Sequence, residues 1–452
     1  MMKETMTMKK TWILVGLTVT IFSQVTFSFG TTKTPTAQSA EAHSSLKVEV
    51  DAHATKKRKI LLVPLTLSDK RSQEVCEALK RALDYTEQLD VDIEYKTEPY
   101  KKKQVLELKR KGYHFVTFLT EDKADKVYEW RLYDTHKGVM QAGFRIKKQG
   151  KIPRGWGYSL ADSIIPEVTG NKPFACSKLA FCQSGKGGET VVCVADFDGS
   201  HSEVLTQSKR QILAPRWNRD PENPQLLYSK YTPLNIQLIS CSLDGSEVVA
   251  SSFDGLNMLP TFSFDGKEVV LCLSRDGSSQ LYHYGYNKQL KKVGYTRLTY
   301  NSGNNICPAF LPNGDIVFCS DFELGRPQLY YLHRNDDSIE RLTEGGACTS
   351  PQYCDATKKL AYSKLEKGVM QLFLYDFSKK QEKQVTSDAG HKQECTWSAC
   401  GNYLAYTVVE GKSQRIVSHS LLTGKNKFLT PEGKTCTYPS WSSLYSTFPV
   451  IG

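Results

Sequence analysis

The chain has 452 residues, enough for two or three domains at roughly 150 residues each. With 40% apolar and 11% aromatic residues it can bury a sizeable core, which excludes wholesale disorder. A mean hydropathy of −0.42 and only one long apolar run exclude a polytopic membrane protein, and the net charge of +11 is spread along the chain rather than gathered into a nucleic-acid-binding block.

Residues 1–30 read as a secretory signal peptide. Lys3, Lys9 and Lys10 precede an apolar stretch from Trp12 to Phe22, and Ser28-Phe29-Gly30 offers a small-x-small cleavage pattern near Gly30. The apolar stretch falls short of the roughly 20 residues that span a bilayer. A cleaved, exported chain is therefore expected, with an uncleaved anchor as the alternative. Residues 31–45, rich in Thr, Ser and Ala, form a flexible leader without periodicity.

Residues 46–171 carry a mixed α/β pattern. Ile60-Leu61-Leu62-Val63 reads as a buried strand ended by Pro64. Ser68 is placed to cap a helix whose Val75, Leu79, Ala82 and Leu83 form one face. Val91, Ile93 and Tyr95 alternate as a strand, and a short helix with Val105, Leu106 and Leu108 stops at Gly112. Strands are predicted over Phe115–Leu119, Val127–Tyr133 and Met140–Ile146, then a helix over Ser159–Val168 ending at Gly170.

From residue 172 to 445 the chain repeats itself. A Pro-x-aromatic step recurs as Pro215-Arg216-Trp217, Pro260-Thr261-Phe262, Pro308-Ala309-Phe310, Pro351-Gln352-Tyr353 and Pro439-Ser440-Trp441, with Cys395-Thr396-Trp397 lacking the proline. The aromatics lie 45, 48, 43, 44 and 44 residues apart, a period that signals propeller blades. Each copy continues through a turn, an apolar run such as Leu360-Ala361-Tyr362-Ser363, a third strand such as Gln328-Leu329-Tyr330 and a fourth ending in steps such as Arg341-Leu342-Thr343. The region opens at Leu179-Ala180-Phe181 without a first strand and ends in Trp441 with a first strand alone. Joining the two completes a sixth blade and removes exposed sheet edges. The expected fold class is an α/β N-terminal domain followed by an all-β six-bladed β-propeller closed by the C-terminal strand, with 446–452 as a tail.

Sites for catalysis are sparse. No G-x-S-x-G, H-E-x-x-H or G-x-x-x-x-G-K-[ST] motif occurs. Ser184-Gly185-Lys186-Gly187-Gly188 reads as a hairpin turn, Asp196-Phe197-Asp198-Gly199 as a tight turn, and Lys101-Lys102-Lys103 as solvated surface. His391 and Glu394 read as surface loop residues. No cofactor, metal or nucleic acid is expected. The odd count of thirteen cysteines, several inside apolar runs such as Cys182, Cys193, Cys272 and Cys319, favours reduced packing thiols over a disulfide framework, with one or more bridges left open.

The combination resembles the TolB family, periplasmic components of the Tol–Pal system of Gram-negative bacteria. Its most specific stretches are Ala161-Asp162-Ser163-Ile164 through Thr169-Gly170 into Leu179-Ala180-Phe181, and Gly325-Arg326-Pro327-Gln328-Leu329-Tyr330. The resemblance implies a monomeric, non-enzymatic periplasmic hub. Its propeller would bind the peptidoglycan-associated lipoprotein Pal, its N-terminal segment TolA, and further outer-membrane proteins could join. These contacts would serve envelope constriction in cell division and outer-membrane integrity. In the family Pal covers the loops leading into each first strand. By matching position those are Lys209–Leu213, Asp254–Leu259, Asn301–Ile306, Glu344–Thr349, Ala389–Glu394 and Lys434–Thr437, with Asn257, Asn304, Asn305, Ile306 and His391 as candidate contacts. The TolA-binding segment would correspond to Leu46–Asp51, where Val48, Val50 and Asp51 suit a strand added to a partner's sheet; an ordinary first strand is the alternative. In the family this segment opens the mature protein, whereas here a leader precedes it. A propeller hydrolase or metal-dependent lactonase is the alternative function.

Overall fold

A computed structural model describes residues 57–445 apart from 66, 68, 149 and 288–291. The signal and leader segments, Val48, Val50 and Asp51, the capping residue Ser68 and the tail 446–452 lie outside the described residues.

The α/β region comprises β1 (Arg58–Pro64), α1 (Lys70–Tyr85), β2 (Leu89–Ile93), α2 (Lys102–Leu108), β3 (Phe115–Asp122), β4 (Val127–Asp134), β5 (Val139–Lys147) and α3 (Pro153–Thr169). The sheet order is β2-β1-β3-β4-β5; β1 runs parallel to β2 and β3, and β3-β4-β5 is an antiparallel meander. Alternation along β1 splits the core. Ile60 and Leu62 face α1 and α3, whereas Leu61 and Val63 join Val116, Phe118, Val105 and Leu108 beneath α2. The cap of α1 is Asp69, whose Oδ1 accepts the Arg71 and Ser72 N–H groups. Helix α3 begins six residues earlier than its apolar periodicity predicts, with Pro153 in its first turn. Gly155 and Gly157, poor helix formers, hid that start. Gly157 is there for contact: a Cβ would sit 2.4 Å from the Val75 carbonyl of α1.

Six four-stranded antiparallel sheets follow. The first holds β9 (Ile212–Trp217), β10 (Gln225–Tyr231), β11 (Ile236–Ser242) and β12 (Glu247–Ser251); the second β13 (Asn257–Phe262), β14 (Val269–Leu273), β15 (Gln280–Asn287) and β16 (Lys292–Arg297). The third holds β17 (Asn305–Phe310), β18 (Ile316–Ser320), β19 (Gln328–Leu332) and β20 (Ile339–Arg341); the fourth β21 (Cys348–Cys354), β22 (Lys359–Glu366), β23 (Val369–Asp376) and β24 (Gln381–Gln384). The fifth is β25 (His391–Trp397), β26 (Tyr403–Glu410), β27 (Ser413–Ser420) and β28 (Asn426–Phe428). The sixth joins the two ends of the repeat region: β29 (Cys436–Trp441) pairs with β6 (Lys178–Ser184), then β7 (Thr190–Asp196) and β8 (Glu203–Ser208). Trp441 faces Leu179 and Ser440 faces Ala180, which is the closure the missing first strand predicts.

The α/β region packs on the hairpin ends of the fifth and sixth blades. Tyr85 at the end of α1 stacks within 5.1–5.7 Å of Phe174, Phe197 and Tyr403, and its hydroxyl donates to Ser418 Oγ at 2.8 Å. Burying each such ring contributes about 1.5–3 kcal/mol. The connecting segment is clasped by Asp162, whose buried carboxylate accepts the N–H groups of Phe174, Ala175 and Cys176 at 2.7–2.8 Å. The Asp196-Gly199 turn does more than reverse the chain. Fully buried Asp196 accepts from Lys178 Nζ at 2.9 Å, Tyr158 Oη at 2.9 Å and Arg154 Nε at 3.2 Å, tying α3 to the sixth blade.

Candidate protein-binding face

Each first strand lines the axis and carries the same defect. The residue three before the repeat aromatic has positive φ: Ala214, Leu259, Cys307, Ser350, Glu394 and Tyr438, all between 52° and 58°. The pairing register slips at each of these points, so each is a β-bulge. Five of the six precede the repeat proline. A bulge leaves a ladder position empty, and proline, with no N–H to donate, loses nothing there. The aromatics that follow seal the seams between blades: Trp217 Nε1 donates to the Ser440 carbonyl at 3.0 Å and Trp397 Nε1 to the Gln352 carbonyl at 2.9 Å.

The loops leading into the first strands make one face of the ring, and buried polar side chains hold them from below. Gln280 and Gln328 open the third strands of their blades, and Gln371 is the third residue of its own. Gln280 Nε2 donates to the carbonyls of Asn301 and Gly303 and Gln328 Nε2 to Gly346, each in the next lead-in loop, and Gln371 Nε2 to Asp388, immediately before the next one. The threonines of the Leu-Thr and Val-Thr steps complete the arrangement: Thr299, Thr343, Thr386 and Thr430 accept third-strand N–H groups at 2.9–3.0 Å.

Asn257 and Asn305 belong to this support. Both are fully buried five residues before the repeat aromatic, a position occupied elsewhere by Ile212, Cys348, Lys392 and Cys436. Asn257 accepts from Ser251 Oγ and the Phe253 N–H and donates to the carbonyls of Ile236 and Phe253. Asn305 donates to Gln280 Oε1 and Asn301 Oδ1. Their side chains therefore do not reach the surface, a correction to their expected place on a polar rim. Lys392, also fully buried, donates to the carbonyls of Asp388, Ala389 and Gly390 in the fifth loop.

Asn304, Ile306 and His391 are half-buried at this face. The Asn304 N–H donates to Asp321 Oδ1 at 2.7 Å, Ile306 packs on the core shared by the third and fourth blades, and His391 Nδ1 accepts the Met370 N–H at 3.2 Å. Burial, then the adjacent Lys392 charge, lowers the His391 pKa and favours neutral imidazole. Sequence reading passed over three apolar side chains on the same face. Leu234 and Leu324, in the β10–β11 and β18–β19 turns, and Tyr300 immediately before the third lead-in loop are exposed, Leu234 by 89% and Tyr300 by 73%. Their signal in the sequence was an apolar residue inside a turn-rich stretch, where solvent is the default.

The loop expectation for Glu394 also needs correcting. It sits in β25 beside the channel, buried, with Oε2 accepting from the Tyr438 N–H and Thr407 Oγ1, both at 2.9 Å. Burial raises its pKa to about 7 against the pull of those hydrogen bonds and the Arg216 charge. Arg216, on β9, donates to the carbonyls of Pro215 and Pro439. It lines a cavity of about 350 Å³ at the opposite, exit end of the channel, together with Arg219, Phe264, Tyr353, Trp397 and Trp441. All thirteen cysteines carry free thiols, twelve of them buried. Among the described residues, no group of three or more His, Cys, Asp or Glu is arranged to hold a metal ion, and no helix is long and apolar enough to cross a membrane.

A ring-closed six-bladed propeller with an α/β domain on its exit face defines the class of protein. The family model of the TolB beta propeller domain matches residues 166–445, and the chain belongs to that family. It is 26% identical over 289 residues to the Tol-Pal system protein TolB of Francisella tularensis subsp. mediasiatica, and equally to that of subsp. tularensis strain SCHU S4. The match covers 61% of this chain and 65% and 64% of those relatives, so it spans just under two thirds of their length. The crystal structure of TolB from Acinetobacter baumannii superposes with a TM-score of 0.73 at 20% identity, covering 86% of this chain and 97% of that one, which is a likeness of fold.

Proposed function

We propose that this protein is a periplasmic, non-enzymatic docking hub of a Tol–Pal system, whose lead-in face receives the peptidoglycan-associated lipoprotein Pal. One observation carries the reading: the α/β domain occupies the exit face, while the opposite face is loop-built, braced from beneath and studded with exposed Leu234, Tyr300 and Leu324. Apolar and aromatic anchors within a polar rim suit a protein interface. Asn304, Ile306 and His391 lie among them as rim contacts, and Asn257 and Asn305 act by holding the loops. The N-terminal segment with Val48, Val50 and Asp51 engages TolA by strand addition, linking the inner membrane to the outer one. No observation favours the hydrolase alternative.

The test is capture of the lipoprotein from envelope extract by the tagged full chain. Tyr300→Ala with Leu234→Ser and Leu324→Ser, all three exposed, should weaken capture by at least tenfold, on the order of 1–2 kcal/mol per anchor, with melting unchanged. Deleting residues 46–51 should abolish TolA capture alone. Undiminished lipoprotein binding by the triple variant would sink the placement of the interface.

A further inference from the structure

Six cations fall between Lys101 and Lys111, namely Lys101, Lys102, Lys103, Lys109, Arg110 and Lys111, against one acid, Glu107. All six are exposed, and among the described residues none has an ion-pair partner within 4 Å. Other cations of the same domain do: Lys59 meets Asp92 at 2.9 Å, Lys96 meets Glu94 at 3.0 Å and Arg145 meets Asp122 at 3.1 Å. Among the described residues this stretch therefore has no ion pair at contact distance, and Glu94 feels Lys111 only at longer range.

Its placement is specific. Val105 and Leu108 turn the inner side of α2 onto the sheet. Helical spacing then puts Lys103, Leu106 and Arg110 on the outward side, with Lys102 and Lys109 flanking Leu106 at four- and three-residue steps. Leu106 is 39% exposed in the middle of these charges. It abuts Gly138, where a Cβ would lie 2.8 Å from its Cδ2, and Met140, paired with Tyr133 on the α2 side of the sheet, is itself exposed near the start of edge strand β5. The opposite face of the sheet carries α1 and α3 against the propeller. Among the described residues, the α2 side is thus the side turned away from the ring.

We propose that this α2 face docks on a membrane surface bearing anionic phospholipid headgroups. Clustered lysines and arginines gain from the negative surface potential, and apolar side chains set among them suit the boundary between headgroup and acyl chain. An acidic protein or a nucleic acid would match the charge but give Leu106 and Met140 nothing to enter. The proposal is independent of the reading of the lead-in face.

The test is flotation of the full chain with vesicles of phosphatidylcholine alone or with about 30% phosphatidylglycerol, at about 0.05 M and about 0.5 M salt. Binding is expected only to the anionic vesicles and only at low salt. Lys102→Glu, Lys103→Glu and Arg110→Glu together should lower it by at least about 100-fold, at roughly fivefold for each positive charge removed, and Leu106→Ser alone by severalfold. If charge reversal perturbs folding, judged by circular dichroism, the corresponding Gln triple variant should still lose most of the binding. No binding to anionic vesicles at low salt, equal binding to both vesicle types, or an unaffected triple variant would overturn the proposal. So would retention on a heparin column without vesicle binding.

Discussion

Trp441 Nε1 donates to the carbonyl of Phe197 at 3.0 Å across 244 residues of chain. Phe197 is also the ring against which Tyr85, Tyr158 and Phe174 stack at 5.1–5.3 Å. Ring closure and the seating of the α/β domain therefore meet at one residue, so damage to the first should be felt by the second.

Removing residues 435–452 strips β29 from the sixth blade and bares the edge of β6. The shortened protein should aggregate or lose its single cooperative transition in a denaturant titration. Trp441→Ala, which keeps the strand, should cost about 3–5 kcal/mol. A truncated chain that melts cooperatively as a monomer would contradict closure.

Glu394 sets a pH dependence. Its folded pKa of about 7 lies above the ordinary 4.5 because of burial, so between those values the folded state holds a proton that the unfolded state releases. Stability from this group is present below about pH 4.5, falls as pH rises toward 7 and levels off above, by at most about 3 kcal/mol. The groups facing it are Arg216 from β9, Cys182 from β6, Tyr438 from β29 and Cys307 from β17. Glu394→Gln, which can still accept from Tyr438 and Thr407, should flatten that slope and melt higher than the parent at pH 8. Identical melting profiles from pH 5 to 8 would refute the assignment.

Gly157→Ala isolates a steric contact. The added methyl meets the Val75 carbonyl at 2.4 Å and Ala78 Cβ at 2.7 Å, forcing α1 and α3 apart. A loss of about 1–3 kcal/mol is expected in chemical denaturation, although alanine is the better helix former.

Asp162→Ala leaves three buried N–H groups without their acceptor, at about 1 kcal/mol or more each. Hydrogen exchange at Phe174, Ala175 and Cys176 should accelerate well before that of β14 or β18. Uniform protection in both regions would mean that the clasp does not govern the junction.

The ring was legible because Pro-x-aromatic steps keep one period over five intervals, and because a region that begins with second-strand residues and ends with a first strand has one economical solution. The bulges were not. Ala214, Leu259, Cys307, Ser350, Glu394 and Tyr438 share no side-chain chemistry, and none is the Gly or Asn that usually marks positive φ. The proline after five of them was visible, but its reason, a vacant ladder position, belongs to pairing. The Gln and Leu-Thr steps were legible as strand boundaries and silent about the loops they brace, since their partners lie 14 to 23 residues away. Asn257 and Asn305 looked like rim residues because Asn in a loop is ordinarily solvated. Only the column shared with Ile212, Cys348 and Cys436 betrays an inward position.

The buried glutamines, asparagines and Lys392 have one more consequence. Because the loop backbone is fixed from inside, an exposed side chain such as Leu234 contributes little to keeping the protein folded, and Tyr300 adds only its surface contacts with Arg297. They are free to be exchanged as a matching surface changes, and the loops lose little freedom when something settles on them. On the proposed docking reading, recognition can be rewritten here without renegotiating the architecture that displays it.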